Sequence, residues 1–276
     1  MPIISLKNVS YRYPHSRGEG GPALDNVSLD INQGEFVGLV GANGSGKSTL
    51  AQLLNGLLVP DEGEVVIDGM STRSRPHLDR IRETVGMVFQ NPENQIVATS
   101  VEDDIAFGPE NLGLPAQEIE RRVDEACRRF GLEPLRRSEP HWLSGGQKQR
   151  TVLAGSMALQ PRVLVLDEPT SMLDPRSQRR FLDFVLELWR GGVTVVYITQ
   201  LMEEVAAARR VVAIAAGGAV FDGDPRELFS SPDLLGKTSL EPPLAARLSA
   251  AMAAQGRPVQ PVLSLPELVE QVCKRA

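Results

Sequence analysis

The hydrophobic pattern divides the chain into a strand-rich opening, an alternating middle and a proline-punctuated end. Residues 3–9, 27–31 and 36–40 read as short strands with turns between them. The polar, glycine-rich stretch 15–22 interrupts them as a surface loop. Residues 63–69 form a strand that ends in a turn. A basic segment, 73–82, then leads to the apolar strand 85–89, which Asn91-Pro92 stops, with Gln90 at its end. Over residues 115–130 the period becomes helical. Ile119, Val123, Ala126, Cys127 and Phe130 share one face, and Asp124 with Arg128 and Glu125 with Arg129 form i,i+4 pairs on the solvated one. Cys127 thus reads as core rather than as a reactive thiol. Residues 143–150 open a second long helix that runs towards Gln160.

The runs 163–166 and 193–199 are apolar without alternation, which suits strands covered on both faces in a mainly parallel sheet. Two short strands follow, around 211–215 and 219–221. Strands alternating with helices after residue 35 make this an α/β protein. From about residue 225 prolines become frequent, and two helices are predicted. One follows Pro243, with Leu244, Leu248 and Met252 as a stripe; the other runs from Pro266 to Lys274. The stripe has no basic flank, so it is expected to pack on its own domain or on a partner rather than on lipid.

Length and charge narrow the possibilities. A chain of 276 residues holds one large domain, or one domain with an appendage. Its net charge of −6, with both signs interspersed, gives no nucleic-acid surface. The apolar run 211–221, broken by Gly-Gly, is far short of the ~20 residues that span a bilayer. The first residues lack a signal-peptide pattern. Cys127 and Cys273 stand far apart, without a metal motif or a disulfide framework. Direct membrane insertion is therefore not expected, and work at a membrane would need a partner.

The chemistry centres on Gly41-Ala42-Asn43-Gly44-Ser45-Gly46-Lys47-Ser48-Thr49, a G-x-x-x-x-G-K-[ST] loop between a strand and a helical run. Its glycines let the backbone approach a polyphosphate closely, and its N–H groups with those of the helix start face the anion. Lys47 brings a positive charge to the β- and γ-phosphates, and Ser48 a hydroxyl suited to Mg²⁺. The strand 163–166 delivers two carboxylates. Asp167 is placed to hold Mg²⁺ directly or through water, and Glu168 to take a proton from an attacking water. Ser144, Gly145, Gly146 and Gln147 open their helix as a second anion-receptive terminus, although such a run on its own could be a simple cap. Either Tyr11 or Tyr13 could stack on an adenine.

Together, the phosphate loop, the Leu143-Ser144-Gly145-Gly146-Gln147 run and the strand ending in Asp167-Glu168 resemble the nucleotide-binding domain of an ABC ATPase over roughly residues 3–230. The resemblance implies a P-loop NTPase fold with a mixed β-sheet core, an antiparallel β-subdomain, a helical signature subdomain at about 91–160 and a small C-terminal helical extension. It divides the chain into an ATPase domain, 1–230, and an extension, 231–276. It implies Tyr13 as the adenine-stacking residue, Gln90 as a glutamine that senses Mg²⁺ and the membrane partner, and residues 171–174 as the D-loop. ATP and Mg²⁺ are the implied ligands.

Residues 90–97 and 101–108 narrow the likeness to the ATPase subunits of energy-coupling-factor transporters, importers of vitamins and transition-metal ions. That resemblance implies a head-to-tail pair of ATPases, homodimeric or heterodimeric, held partly by the C-terminal extension. It also implies a membrane T-component docked near residues 90–107, a separate substrate-binding S-component, and a peripheral location on the cytoplasmic side of the cell membrane. The competing class is a soluble ABC ATPase for assembly or repair, such as an iron–sulfur-cluster accessory. One departure stands out: Gln200 occupies the place of the family's switch histidine. Gln200, Glu168, Gln90 and Lys47 are the expected catalytic residues.

Overall fold

The structure, a computed structural model, describes residues 1–14, 21–257 and 259–273. The loop expected at 15–22 therefore lies outside the described residues except for Gly21 and Pro22. Two sheets organise the chain. The first is antiparallel, in the order β2-β1-β4-β5, from β1 (Ile4–Tyr11), β2 (Leu24–Ile31), β4 (Glu62–Ile67) and β5 (Met70–Ser71). The second runs β10-β9-β3-β8-β7-β6, from β3 (Phe36–Val40), β6 (Val85–Val88), β7 (Val163–Asp167), β8 (Thr194–Ile198), β9 (Arg210–Ala215) and β10 (Gly218–Gly223). Only β10 is antiparallel there.

Each fully buried strand of this second sheet feeds two cores. In β7, Leu164 and Leu166 join one cluster while Val163 and Val165 join the other; in β3, Phe36 and Val40 part from Val37 and Leu39 in the same way. That two-sided burial is why these runs show no alternation. Burying one such leucine contributes about 1.5–3 kcal/mol. Because β3, β6, β7 and β8 are parallel, their carboxyl ends emerge at one edge, where an open α/β sheet places its ligands.

Helix α1 (Lys47–Leu54) follows β3 and buries Leu50, Leu53 and Leu54 on the sheet. Leu57, in phase with them in the sequence, lies past the helix end and is exposed. After α2 (Leu78–Thr84) and β6 comes a helical group: α3 (Val101–Asn111), α4 (Ala116–Phe130) and α5 (Gly145–Ala158). Val123, Ala126, Cys127 and Phe130 of α4 are buried as its period requires. Its ion pairs differ from the predicted ones. Arg121 and Arg122 pair with Glu118, Arg121 also with Glu125, and Asp124 with Arg136. Arg136 arrives from beyond the helix and binds Glu102 of α3 as well, a geometry that helical spacing cannot reveal.

Helix α6 (Pro175–Arg190) packs through Phe181, Val185 and Leu188. Past the short α7 (Met202–Val205) and the last strands, the end of the chain holds α8 (Pro225–Ser230), α9 (Pro232–Thr238), α10 (Leu244–Ala254) and α11 (Leu265–Cys273). Beyond residue 231 there are thus three helices among the described residues, not two. Leu228 and Phe229 of α8 belong to the main core. Ala245, Val262 and Leu268 form a separate small cluster. The stripe predicted on α10 is only partly its buried face: Met252 packs against the small cluster, but Leu244 and Leu248 stay exposed while Ala245 and Ser249, one position on, face inward.

Candidate active site

The loop between β3 and α1 owes its shape to three glycines at positive φ: Gly41 (φ 151), Gly44 (φ 76) and Gly46 (φ 111). At Gly41 a Cβ would fall 2.2 Å from the Ile214 carbonyl oxygen, and at Gly46 2.4 Å from that of Ala23. A side chain at either position would push the loop out of place. Asn43, Gly44, Gly46, Lys47, Ser48 and Thr49 line one wall of a cleft of about 660 Å³, with Gln90, Glu168 and Tyr13 across from them.

Lys47 is 4% exposed, and its Nζ donates to the carbonyl oxygens of Gly41 and Ala42, each at 2.9 Å. Burial pulls its pKa down, and the charges of Glu168 and Asp167 push back. Asp167 ends β7 at 6% exposure. Burial raises its pKa, while a hydrogen bond from Ser48 opposes that shift. Its Oδ1 is buried without a hydrogen-bond partner, as is the Ser45 hydroxyl oxygen. A buried carboxylate oxygen left open beside a serine hydroxyl suits a hard cation.

Glu168 adopts φ 46, a left-handed conformation that a glutamate rarely takes. Its backbone N–H donates to the Ile198 carbonyl at 2.9 Å, and the Ser171 N–H and hydroxyl return to its own carbonyl. The carboxylate is held on both sides. Gln90 Nε2 donates to Oε2 at 3.2 Å and Gln200 Nε2 to Oε1 at 2.6 Å. Gln200 also donates to Asn43 Oδ1 in the phosphate loop. Tyr13 lies past the end of β1 at Tyr11, so the i,i+2 spacing of the two rings does not place them on one strand face. They meet edge to face at 5.1 Å, and the Tyr13 hydroxyl lies 3.2 Å from Thr49 Oγ1.

Ser144 caps α5. Its Oγ accepts from the Gln147 N–H, and Gln147 Oε1 accepts from the Ser144 N–H at 2.7 Å. This is a capping box. The phosphate loop, Tyr13, Gln90 and Glu168 gather around the cleft, with Asp167 and Gln200 bonded to its lining, whereas none of Ser144, Gly145, Gly146 and Gln147 lines it. Glu204 is absent from the expected set. It is a buried carboxyl that binds Thr170 and Thr199, and an acidic residue on a short helical stretch carries no motif to mark it.

Comparison with known proteins decides the family. Residues 24–171 match the ABC transporter family. The chain is 49% identical to the energy-coupling factor transporter ATP-binding protein EcfA1 of Symbiobacterium thermophilum, over 99% of this chain and 97% of that one. It is 45% identical to EcfA1 of Clostridium novyi, over 99% and 98%. The chain belongs to the energy-coupling factor branch of the ABC ATPases. This energy-coupling factor ATPase superposes on cbiO1 from Clostridium perfringens, part of the cbiONQ transporter complex, with a TM-score of 0.76 at 34% identity, covering 91% of this chain and 99% of that one. The ABC transporter cassette MJ0796, in a dimeric structure, gives 0.73 at 31% identity, covering 80% and 98%. These relatives are transporter subunits by name, which sets aside the assembly-or-repair alternative. Among the described residues no helix is long and apolar enough to cross a membrane.

Proposed function

We propose that this ATPase drives an energy-coupling factor importer from the cytoplasmic face of the cell membrane, as a peripheral subunit hydrolysing ATP in a head-to-tail pair. The observation that carries the reading is that Lys47, Gln90 and Glu168 line one cleft at the carboxyl ends of four parallel strands, with Asp167 bonded to its Ser48 and Gln200 to its Glu168 and Asn43. In phosphoryl transfer, positioning and charge stabilisation do nearly all the work, and each of these groups supplies one or the other.

Lys47 and the backbone N–H groups of residues 43–49 bind the polyphosphate, and Tyr13 receives the adenine. Ser48 and Asp167, with Gln90 nearby, would hold Mg²⁺, which neutralises charge on the phosphates. Glu168 takes a proton from the attacking water. The amides of Gln90 and Gln200 each occupy one of its oxygens and fix the direction of its lone pairs. Ser144, Gly145, Gly146 and Gln147 serve the nucleotide of a partner ATPase, identical or not. That role accounts for a second anion-receptive helix start outside this chain's own cleft. The extension after residue 230 supports the pairing, and a T-component docks near residues 90–107 while an S-component captures the substrate.

Glu168→Gln should keep ATP binding and lose ~10²–10⁴-fold in turnover, because the proton acceptor is gone while the cradle stays. Lys47→Ala should weaken nucleotide binding itself. Equilibrium binding of a fluorescent ATP analogue, measured beside phosphate release, separates the two effects. Near wild-type hydrolysis by Glu168→Gln would refute the base assignment, and unchanged affinity in Lys47→Ala would refute the cradle.

A further inference from the structure

One buried carboxyl group has no part in the chemistry above. Glu204, on α7, is 6% exposed, and no lysine or arginine pairs with it among the described residues. Its Oε1 accepts from Thr170 Oγ1 at 2.7 Å and its Oε2 from Thr199 Oγ1 at 2.7 Å. Both threonines are buried, at 1% and 2% exposure. Burying a carboxyl group among neutral partners is costly and raises its pKa, so an aliphatic residue would suit this spot better if it only filled space.

The two threonines flank the chemistry. Thr170 lies two residues after Glu168, and Thr199 immediately precedes Gln200. Thr199 Oγ1 also accepts from the Leu201 N–H at 2.9 Å, so the turn carrying Gln200 is held on both sides. The Thr170 carbonyl accepts from the Leu173 N–H at 3.0 Å and from Gln178 Nε2 at 3.2 Å, which ties the same segment to residues 171–174 and to α6. The contact between Gln200 Nε2 and Glu168 Oε1 joins the far ends of these two segments.

We propose that Glu204 is a positioning residue for hydrolysis. Its two oxygens latch the segment that carries Glu168 and residues 171–174 to the turn that carries Gln200, so base and switch keep one relative placement. Without the latch, Thr170 and Thr199 lose their shared acceptor and the two segments move independently. This rests on the reading of Glu168 as the base. Nucleotide binding depends on the phosphate loop, which Glu204 does not touch, so the latch should act on turnover and leave affinity alone.

The test uses the full-length chain with Glu204→Leu, Glu204→Gln, Thr170→Val and Thr199→Val, measuring kcat, KM for ATP and affinity for a fluorescent ATP analogue. Glu204→Leu should lower kcat by ~10-fold or more, since both hydrogen bonds go. KM and affinity should stay within about twofold, the pattern of an interaction needed in the transition state rather than in binding. Glu204→Gln, which keeps an acceptor oxygen and the side-chain length, should recover most of the rate. Each threonine variant should lower kcat, and combining either with Glu204→Leu should add little, because the three groups form one unit.

The proposal is overturned if kcat stays at the wild-type level while thermal stability alone falls, if affinity falls in step with kcat, or if the effects simply add. Should Glu204→Leu fail to fold, the threonine variants carry the same decision. Glu168→Gln as a parallel control separates the two claims: full activity there sinks the base assignment, whereas a dead Glu168→Gln beside wild-type rates in Glu204→Leu and the threonine variants sinks the latch alone.

Discussion

Gln200 stands where the family resemblance leads one to expect a histidine, and its surroundings show what a glutamine holds together there. One amide nitrogen reaches both Glu168 Oε1 and Asn43 Oδ1, linking Glu168 to the phosphate loop as a neutral donor. A histidine can also become a cation near neutral pH, whereas an amide cannot. A hydrogen bond to a charged group contributes ~1.5–3 kcal/mol, and the neutral amide retains part of that. We therefore expect the site on this chain's own phosphate loop to be the slower of two when it pairs with a non-identical ATPase. Gln200→His should raise turnover and introduce a pH dependence centred near ~6.5, with the protonated form present below that value. No gain in the substituted chain, or an isolated homodimer as fast per site as the native complex, would contradict this expectation. The glycines and Lys47 were legible because a phosphate cradle demands those residue types at that spacing. Glu204 was not, since its role depends on two threonines brought to it by the chain's return through β8.

Among the elements, legibility followed periodicity. The unbroken runs at 163–166 and 193–199 announced β7 and β8, and the sheet buries both faces of each. Helix α6 went unassigned although Asp174 caps it and Pro175 opens it, both ordinary helix-start signals. Helix α3 hid behind its proline, Pro109, with Ser100 as its cap. Contacts between elements were beyond any period, as Arg136 bridging Glu102 of α3 and Asp124 of α4 shows. That bridge also bears on docking. Reversing Glu102 would break an internal tie, and Asp103 accepts from the Ser100 hydroxyl at the cap. Val97 and Phe107 are better probes. Both are exposed, at 63% and 49%, on a groove of about 310 Å³ that they share with Leu57 and Leu159. Val97→Asp with Phe107→Asp should release the ATPase from its membrane partners in pull-downs while leaving ATP affinity at its wild-type value. Undiminished co-purification would place docking elsewhere.

For the whole molecule, the decisive feature is the separation of the phosphate loop from the glycine-led start of α5 within one chain. The phosphate loop and Glu168 share a cleft, while the capped start of α5 stands outside it. A site that needs both must take one from each of two subunits, and two copies placed head to tail then make two sites. This predicts complementation between inactive chains. Lys47→Ala disables the phosphate loop. Gly145→Asp puts a negative charge at the start of α5, where the nearest atom to a new Cβ is 3.7 Å away, so the chain's own fold tolerates it. In a mixed pair, one site inherits both defects and the other inherits neither. The most direct test is therefore the ATPase activity of the two variants, each alone and then mixed. Shared sites predict activity in the mixture well above the sum of the separate rates. A mixture no more active than that sum would mean that each chain completes its own site, and would contradict the account.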